Sequence, residues 1–376
     1  MRKDIIEDWQ SWDVMITSYD LLKRDISHYE DKAFFYHVLD EAQFIKNPKA
    51  GVSKAVKVIH SNHRMALTGT PIENRLSELW SIFDFLMPGF LYDYAEFHNR
   101  YENPITKDKD EEAAGRLKRM VGPFILRRLK GDVLKDLPEK IEEVRYAKFD
   151  TEQQHLYDAQ VAHMTSMLES GELSSGKDKI RILAELTKIR QLCCDPSLIL
   201  ENYAGGSAKR EAVLDLIRSA MDGGHRMLLF SQFTSMLELL EEDLKKENIS
   251  YYKITGSTPK EERIRLVHAF NENSTPVFLI SLKAGGTGLN LVGADMVIHY
   301  DPWWNLAAQN QATDRAHRIG QKHKVSVFKL IAKNTIEEKI LKLQEAKKDL
   351  ADAIISGEGE SLTSLTAEEL VELLQG

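Results

Sequence analysis

Apolar and polar positions alternate along the chain in two blocks separated by a helix-like middle. In the first block, "DVMITSYDLL" (13–22) reads as a strand, a polar turn and a helix start, and "AFFYHVLD" (33–40) reads as another strand. "KAVKVIHS" (54–61) is helix-like, "RMALTGTP" (64–71) is a short strand broken by Gly69 and Pro71, and "RLSELWSIFDFL" (75–86) is a helix. Residues 152–200 offer helical spacing and no strand, with an interruption at 169–178. Alternation then resumes, with strands at 226–230, 251–254, 276–282, 296–300 and 325–331 and helices at 234–247, 260–270 and 305–318. A charged helix from Thr335, the polar linker "SGEGES" (356–361) and a short amphipathic helix close the chain. Strands alternating with helices predict parallel sheets, each covered on both faces.

Length and composition fit that organisation. A chain of 376 residues with 43 % hydrophobic content has room for two or three cores. The net charge of −8 (50 basic against 58 acidic residues) argues against a globally cationic binder, although binding depends on where Lys and Arg cluster. The two cysteines, Cys193 and Cys194, are adjacent; this is neither a disulfide framework nor a zinc spacing, and it predicts buried thiols in a reducing compartment. No run reads as a signal peptide or a membrane span, so a soluble cytoplasmic chain is expected, nucleoid-associated in a prokaryote or nuclear in a eukaryote.

Several stretches carry candidate chemistry. Asp40 and Glu41 follow a buried strand, where ligands of open α/β sheets sit; the pair could hold Mg²⁺ through water and activate a water, or could simply be the polar stop of a strand. "KAGGTGLN" (283–290) sets Gly285, Gly286 and Gly288 after another strand, giving either a phosphate-facing loop or a turn. In "QATDRAHRIGQ" (311–321), Arg315 and Arg318 would share one helix face and could clamp a triphosphate, or could be solvated and bonded to carboxylates such as Asp314.

Taken in order, "TSYD", "LDEAQ", "LTGTPIEN", "LFSQF", "ITGSTPKEER", "SLKAGGTGLNL", "YDPWWN" and "QATDRAHRIGQ" resemble the Swi/Snf-type DNA translocases, a branch of helicase superfamily two. "RRLKGDVLKDLPEK" (127–140) resembles that family's stretch between motor lobes, and the resemblance runs from about Val14 to Ile340. It implies an α/β protein of two RecA-like lobes, with ATP and Mg²⁺ in the cleft between them and double-stranded DNA across both. It also implies the domain order: 1–126 as the C-terminal part of lobe one, 127–151 as the linker and first strand of lobe two, 152–200 as a helical insertion, 201–335 as lobe two and 336–376 as a helical tail.

The site residues follow from the same resemblance. Asp40 becomes the Mg²⁺-associated acid, Glu41 the water activator, and Arg315 and Arg318 the groups touching the terminal phosphates. Thr68, Gly69 and Thr70 would couple the site to the partner lobe, and Gly285, Gly286, Gly288 and Gln311 would lie at the cleft. Thr17, Ser18, Ser257 and Arg263 fall in stretches resembling DNA-backbone contacts.

The chain departs from the family where phosphates are bound. No Gly-Lys-Thr loop precedes Asp40, and the one Gly-Lys pair, Gly176-Lys177, is followed by Asp178. This leads to the expectation of an incomplete first lobe with open apolar strand edges, and of a chain inactive alone unless a missing N-terminal half supplies the loop. Gln43, where the family often has His, and Leu306, where it often has Pro, are not expected to decide activity. The family also includes proteins that displace DNA-bound partners such as RNA polymerase. A non-catalytic DNA-binding or regulatory fragment is the alternative, and an RNA helicase fits the motifs less well.

Overall fold

A computed structural model describes residues 2–69, 76–128, 130–169, 178–285 and 288–345. Thr70, Gly286, Gly176-Lys177, the linker at 356–361 and the final amphipathic helix lie outside the described residues. The described chain divides into two compact units that meet in sequence at Leu126 and Arg127.

The first unit is built on one crossover. Strand β1 (Ala33–Leu39) runs into the helix Gly51–Val58 and returns as β2 (His60–Ala66), which pairs with β1 in parallel from Ala33↔His60 to Leu39↔Ala66. Parallel neighbours cannot be joined by a tight hairpin, so this helix is the required connection. Its buried Val56 joins Leu22, Leu39, Ile45, Ile59 and Phe85 in a core. A second core is largely helical and contains Leu76, Leu79, Phe83, Phe97, Leu117 and Val121. The helix Leu76–Leu86 serves both, because Leu76, Leu79 and Phe83 recur at i, i+3 and i+7 while Ile82 and Phe85 lie on the other side.

The strand expected at the start of 13–22 does not form: among the described residues it joins no ladder. Val14 is 74 % exposed and Ile16 91 % exposed. β2 also begins earlier than the pattern suggested, at His60, because its polar half reads as helix in sequence.

The second unit is a six-stranded, wholly parallel sheet in the order β3-β8-β7-β4-β6-β5, with β3 at Lys140–Ala147, β4 at Met227–Ser231, β5 at Tyr251–Ile254, β6 at Val277–Ser281, β7 at Met296–His299 and β8 at Val325–Ala332. Strands β4, β6 and β7 are buried throughout, which explains their unbroken apolar sequences. Alternate residues serve opposite faces. Leu228, Phe230, Phe278 and Ile280 pack with Leu266 and Phe270 of the helix Lys260–Glu272. Met227, Leu229, Val277 and Leu279 pack with Val213 and Ile217 of the helix Ala208–Asp222, and with Leu237 and Leu240 of the helix Thr234–Lys246.

The helical insertion is a pair, Thr151–Glu169 and Asp178–Cys194. Tyr157, Leu186 and Ile189 pack on Ile336 and Ile340, which belong to helix residues 336–345 after β8. Cys193 and Cys194 are buried free thiols, and burial raises both well above the usual thiol range.

Candidate functional site

The acidic pair sits where β1 ends. Glu41 adopts the left-handed conformation (φ 50, ψ 53), which an ordinary residue enters only at a cost of about 1–2 kcal/mol. That bend lets the Glu41 N–H donate to Asp40 Oδ1 at 2.9 Å and sends the chain into the turn Ala42–Ile45. The Tyr19 hydroxyl donates to the Asp40 carbonyl at 2.7 Å. Burial, then the Asp40 and Glu41 carboxylates, push that phenol up to about 12, so it remains a donor.

Gln43 joins the acidic turn to the end of β2. Its Nε2 donates to Glu41 Oε2 at 2.7 Å, and its Oε1 accepts from the Thr68 hydroxyl at 2.8 Å. A carboxylate only accepts, so the amide orientation follows from its partners. Ala42 N–H to the Leu67 carbonyl, 2.9 Å, adds a backbone tie. "LDEAQ" and "LTG" thus form one constellation, and Gln43, the departure judged minor in sequence, is the bridge. Gly69 is exposed, with open space where a Cβ would be.

In the second unit, the loop after β6 meets the turn that carries the arginines. Gly288 has φ +49, a conformation suited to glycine, and the chain then passes Leu289 to Leu291. The Leu291 N–H donates to the Arg315 carbonyl at 3.0 Å, and Arg318 Nη1 reaches the Leu289 carbonyl at 3.5 Å. Gly285 closes the short helix Leu282–Gly285 at the start of this loop, and Gln311 lies on the helix Leu306–Thr313.

That helix is shorter than the expected 305–318. It stops at Thr313, so Arg315 and Arg318 do not share a helix face; they lie on a tight turn with Arg315 N–H to the Ala312 carbonyl (3.2 Å) and Gln321 N–H to the Arg318 carbonyl (3.0 Å). The cause is tertiary. Lys130 Nζ pairs with Asp314 at 2.7 Å and donates to the His317 carbonyl at 2.5 Å, while the Pro138 carbonyl is 2.8 Å from His317 Nε2. The stretch 127–140 therefore clamps the arginine turn, and Lys130 was not legible as a site residue.

A second support lies beneath the Leu306–Thr313 helix. Asp301, 1 % exposed, accepts from the Ser231 hydroxyl and from Gln232, and Arg190 donates to Gln232 Oε1 (2.8 Å) and to the Pro302 carbonyl (2.5 Å). The Asn305 side chain caps the helix at Ala308 N. His299 Nε2 lies 2.8 Å from the Thr313 hydroxyl, where the helix ends.

Residues 5–198 match the SNF2-related domain family, and residues 208–320 match the helicase conserved C-terminal domain. The chain belongs to the SNF2 family of ATP-dependent helicases. It is 40 % identical over 366 residues to the protein titled "Uncharacterized ATP-dependent helicase MG018" of Mycoplasma genitalium, covering 96 % of this chain and 34 % of that one. This SNF2 chain therefore spans about a third of that relative's length. Two solved Sulfolobus solfataricus SWI2/SNF2 ATPase cores share 38 % identity with it. The core domain alone gives a TM-score of 0.52 (97 % of this chain, 75 % of that one), and the core in complex with dsDNA gives 0.50 (92 % and 74 %).

The residues expected at DNA are mostly occupied locally in this SNF2 chain. Ser18 caps the helix Tyr19–Asp25 by accepting from Leu21 N, and Thr17 lies beside Tyr29. Ser257 is exposed, with its hydroxyl 2.9 Å from that of Thr255. Arg263 donates to the carbonyls of Thr255, Gly256 and Thr258 at 2.9–3.1 Å, and so shapes the turn that presents Ser257.

Proposed function

We propose that this chain supplies the hydrolytic acids, the arginines and the DNA-facing surface of an ATP-dependent double-stranded DNA translocase of the Swi/Snf type. Asp40 and Glu41 act on the water and metal side of the triphosphate, and Arg315 and Arg318 offset the charge that develops on its terminal phosphates. Thr68, Gly69 and Thr70 couple this chemistry to movement, and Gly285, Gly286, Gly288 and Gln311 flank the nucleotide. Thr17, Ser18, Ser257 and the turn shaped by Arg263 meet DNA phosphates, where contact carries no sequence preference. One observation carries the reading: residues distant in sequence converge, Thr68 on Glu41 through Gln43 and Leu291 on Arg315.

The donor set fits a water-held Mg²⁺ rather than a protein cage. Asp40 is exposed with one oxygen engaged by Glu41 N–H, and among the described residues no three His, Cys, Asp or Glu side chains gather as a metal cluster. Mg²⁺ arriving with the nucleotide would supply charge neutralisation at the phosphates, held on the protein side by Asp40 through water.

The 376 residues contain no Gly-Lys-Ser/Thr loop. The chain alone is expected to turn over ATP at background rate, and a polypeptide carrying that loop is expected to complete the site. The test is duplex-DNA binding across a salt series, with ATP turnover measured alongside. Binding should weaken steeply with salt and be nearly indifferent to sequence, without turnover. DNA-stimulated hydrolysis within tenfold of a complete family member would overturn the expected inactivity. A second reading, a non-catalytic DNA-binding module, is upheld if turnover stays at background once the loop is supplied.

A further inference from the structure

The six-stranded sheet of the second unit ends in two unlike edges. At one end β5 is short, and its Tyr251, Tyr252 and Lys253 are half-buried. At the other end β3 is eight residues long and, among the described residues, pairs only with β8. Both of its faces are open. Ile141 is 47 % exposed and Tyr146 55 % exposed, and Glu142, Glu143 and Arg145 are exposed as well.

The direction of the free backbone groups follows from the ladder. The Glu139 carbonyl accepts from Val325 N–H at 3.0 Å, and the Ala147 carbonyl from Lys333 N–H at 2.8 Å. Odd-numbered residues of β3 therefore turn their backbone groups toward β8, because successive residues of a strand alternate. The N–H and C=O groups of Glu142, Val144 and Tyr146 point away from the sheet. Glu143 and Arg145 share one face, with Arg145 Nε 2.8 Å from Glu143 Oε1 and the side chains 48 % and 56 % exposed. On the opposite face Lys140 and Lys329 hold Glu142 at 2.6 and 2.8 Å.

We propose that β3 is a self-pairing edge: a second copy of this chain adds its own β3, antiparallel, about a two-fold axis at Val144. Residues opposite each other in an antiparallel pair share a face, so a two-fold axis lets only residues of like parity meet. Centred on Val144, the register sets Glu142 against Tyr146 of the second copy, and their outward backbone groups exchange hydrogen bonds. On the other face it sets Glu143 opposite Arg145 of the second copy and Arg145 opposite its Glu143, closing a ring of alternating charge. Centring on Glu143 would bring two carboxylates together, and centring on Arg145 two guanidiniums; like charges directly opposite destabilise a pair. Charges on an edge usually block pairing. Here they exclude the neighbouring registers and leave one. The pairing ends at Ile141 and Ala147, because the next step would set Lys140 against Lys148. An antiparallel strand at the edge of a parallel sheet is a common arrangement. One strand edge falls short of the roughly 1,200 Å² that stable interfaces bury, so the dimer is reversible. The inference concerns the pairing of copies and does not depend on the ATPase reading.

Sedimentation velocity of the full chain tests this over a dilution series from about 500 µM downward, a range suited to the weak affinities of small interfaces. Wild type should pass from dimer to monomer on dilution. Glu143→Arg and Arg145→Glu each set like charges opposite one another and should raise the dissociation constant at least tenfold. The two variants are complementary to each other, so an equimolar mixture should regain the dimer. The double reversal, Glu143→Arg with Arg145→Glu, should regain it as well. Amide exchange over 140–148 should slow with concentration in wild type and in neither single variant. A wild type that stays monomeric throughout would overturn the proposal. So would single reversals that leave dimerisation unchanged, or a mixture of the two that stays monomeric.

Discussion

The backbone N–H of Leu291 donates to the carbonyl of Arg315 at 3.0 Å, tying the glycine-rich loop after β6 to the turn that bears both arginines. The contact needs no particular side chain on either residue. It depends on the turn shape after Thr313, and that shape is held by Lys130 from 184 residues away. A charged residue of the stretch preceding β3 thereby governs where Arg315 and Arg318 sit.

Lys130→Ala should therefore loosen the turn while leaving the core intact. Amide exchange over 314–320 should accelerate about tenfold with the melting midpoint nearly unchanged, since Lys130 and Asp314 are both partly exposed. Unchanged exchange there would remove the clamp from the account.

Glu41 holds a left-handed conformation that costs an ordinary residue about 1–2 kcal/mol. Asn tolerates the left-handed region and can still accept from Gln43, so Glu41→Asn should melt at the same temperature or gain roughly 1 kcal/mol, although it removes the carboxylate proposed to activate water. Thermal unfolding checks this; a clear loss of stability would mean the carboxylate is structural.

Acid should weaken the second unit through His299. Burial, and then the Lys329 charge, hold this imidazole down to about 3, so the folded chain keeps it neutral while the unfolded chain protonates it below about 6.5. The folded form binds fewer protons, and stability falls as pH drops from 6.5, approaching about 1.4 kcal/mol per pH unit. Comparing wild type with His299→Gln between pH 7.5 and 5 isolates the effect, above the range in which Glu142 and Glu241 titrate. The variant should show the shallower slope.

Lys209 and Glu337 form a buried ion pair at 2.9 Å, their side chains 0 % and 1 % exposed, joining the helix Ala208–Asp222 to the chain after β8. Lys209→Met should cost about 3–5 kcal/mol by stranding a carboxylate. Adding Glu337→Leu should recover more than half, the remainder coming from the Ala332 N–H that also relies on Glu337. Chemical denaturation of the single and double variants checks both values.

Much of the fold was legible because its signals are local. The continuous apolar runs of β4, β6 and β7 and the turns between them state a parallel sheet without help from distant residues. The strand at 13–17 was misjudged because pairing depends on a neighbour, and period-two patterning does not report one. The helix through Arg318 was misjudged because nothing from Gln311 to Ile319 breaks a helix, while Lys130 and Pro138 pull the chain out of it. Gln43 was judged minor and Arg190 overlooked because their worth lies in partners set by tertiary packing, the Thr68 hydroxyl for one and the Pro302 carbonyl for the other.

Asp40 and Glu41 with Arg315 and Arg318 are taken to serve one hydrolysis event, and a double-mutant cycle on ATP turnover tests that most directly. The chain is joined to the Gly-Lys-Thr-bearing segment of a family member, and kcat is measured with duplex DNA for Glu41→Gln, Arg318→Ala and the pair. Groups acting in one transition state are strongly non-additive. Each single variant should lose at least about 100-fold, and the double variant should be scarcely slower than the worse single. Singles that retain turnover within fivefold of wild type, or losses that multiply in the double variant, would contradict a shared site.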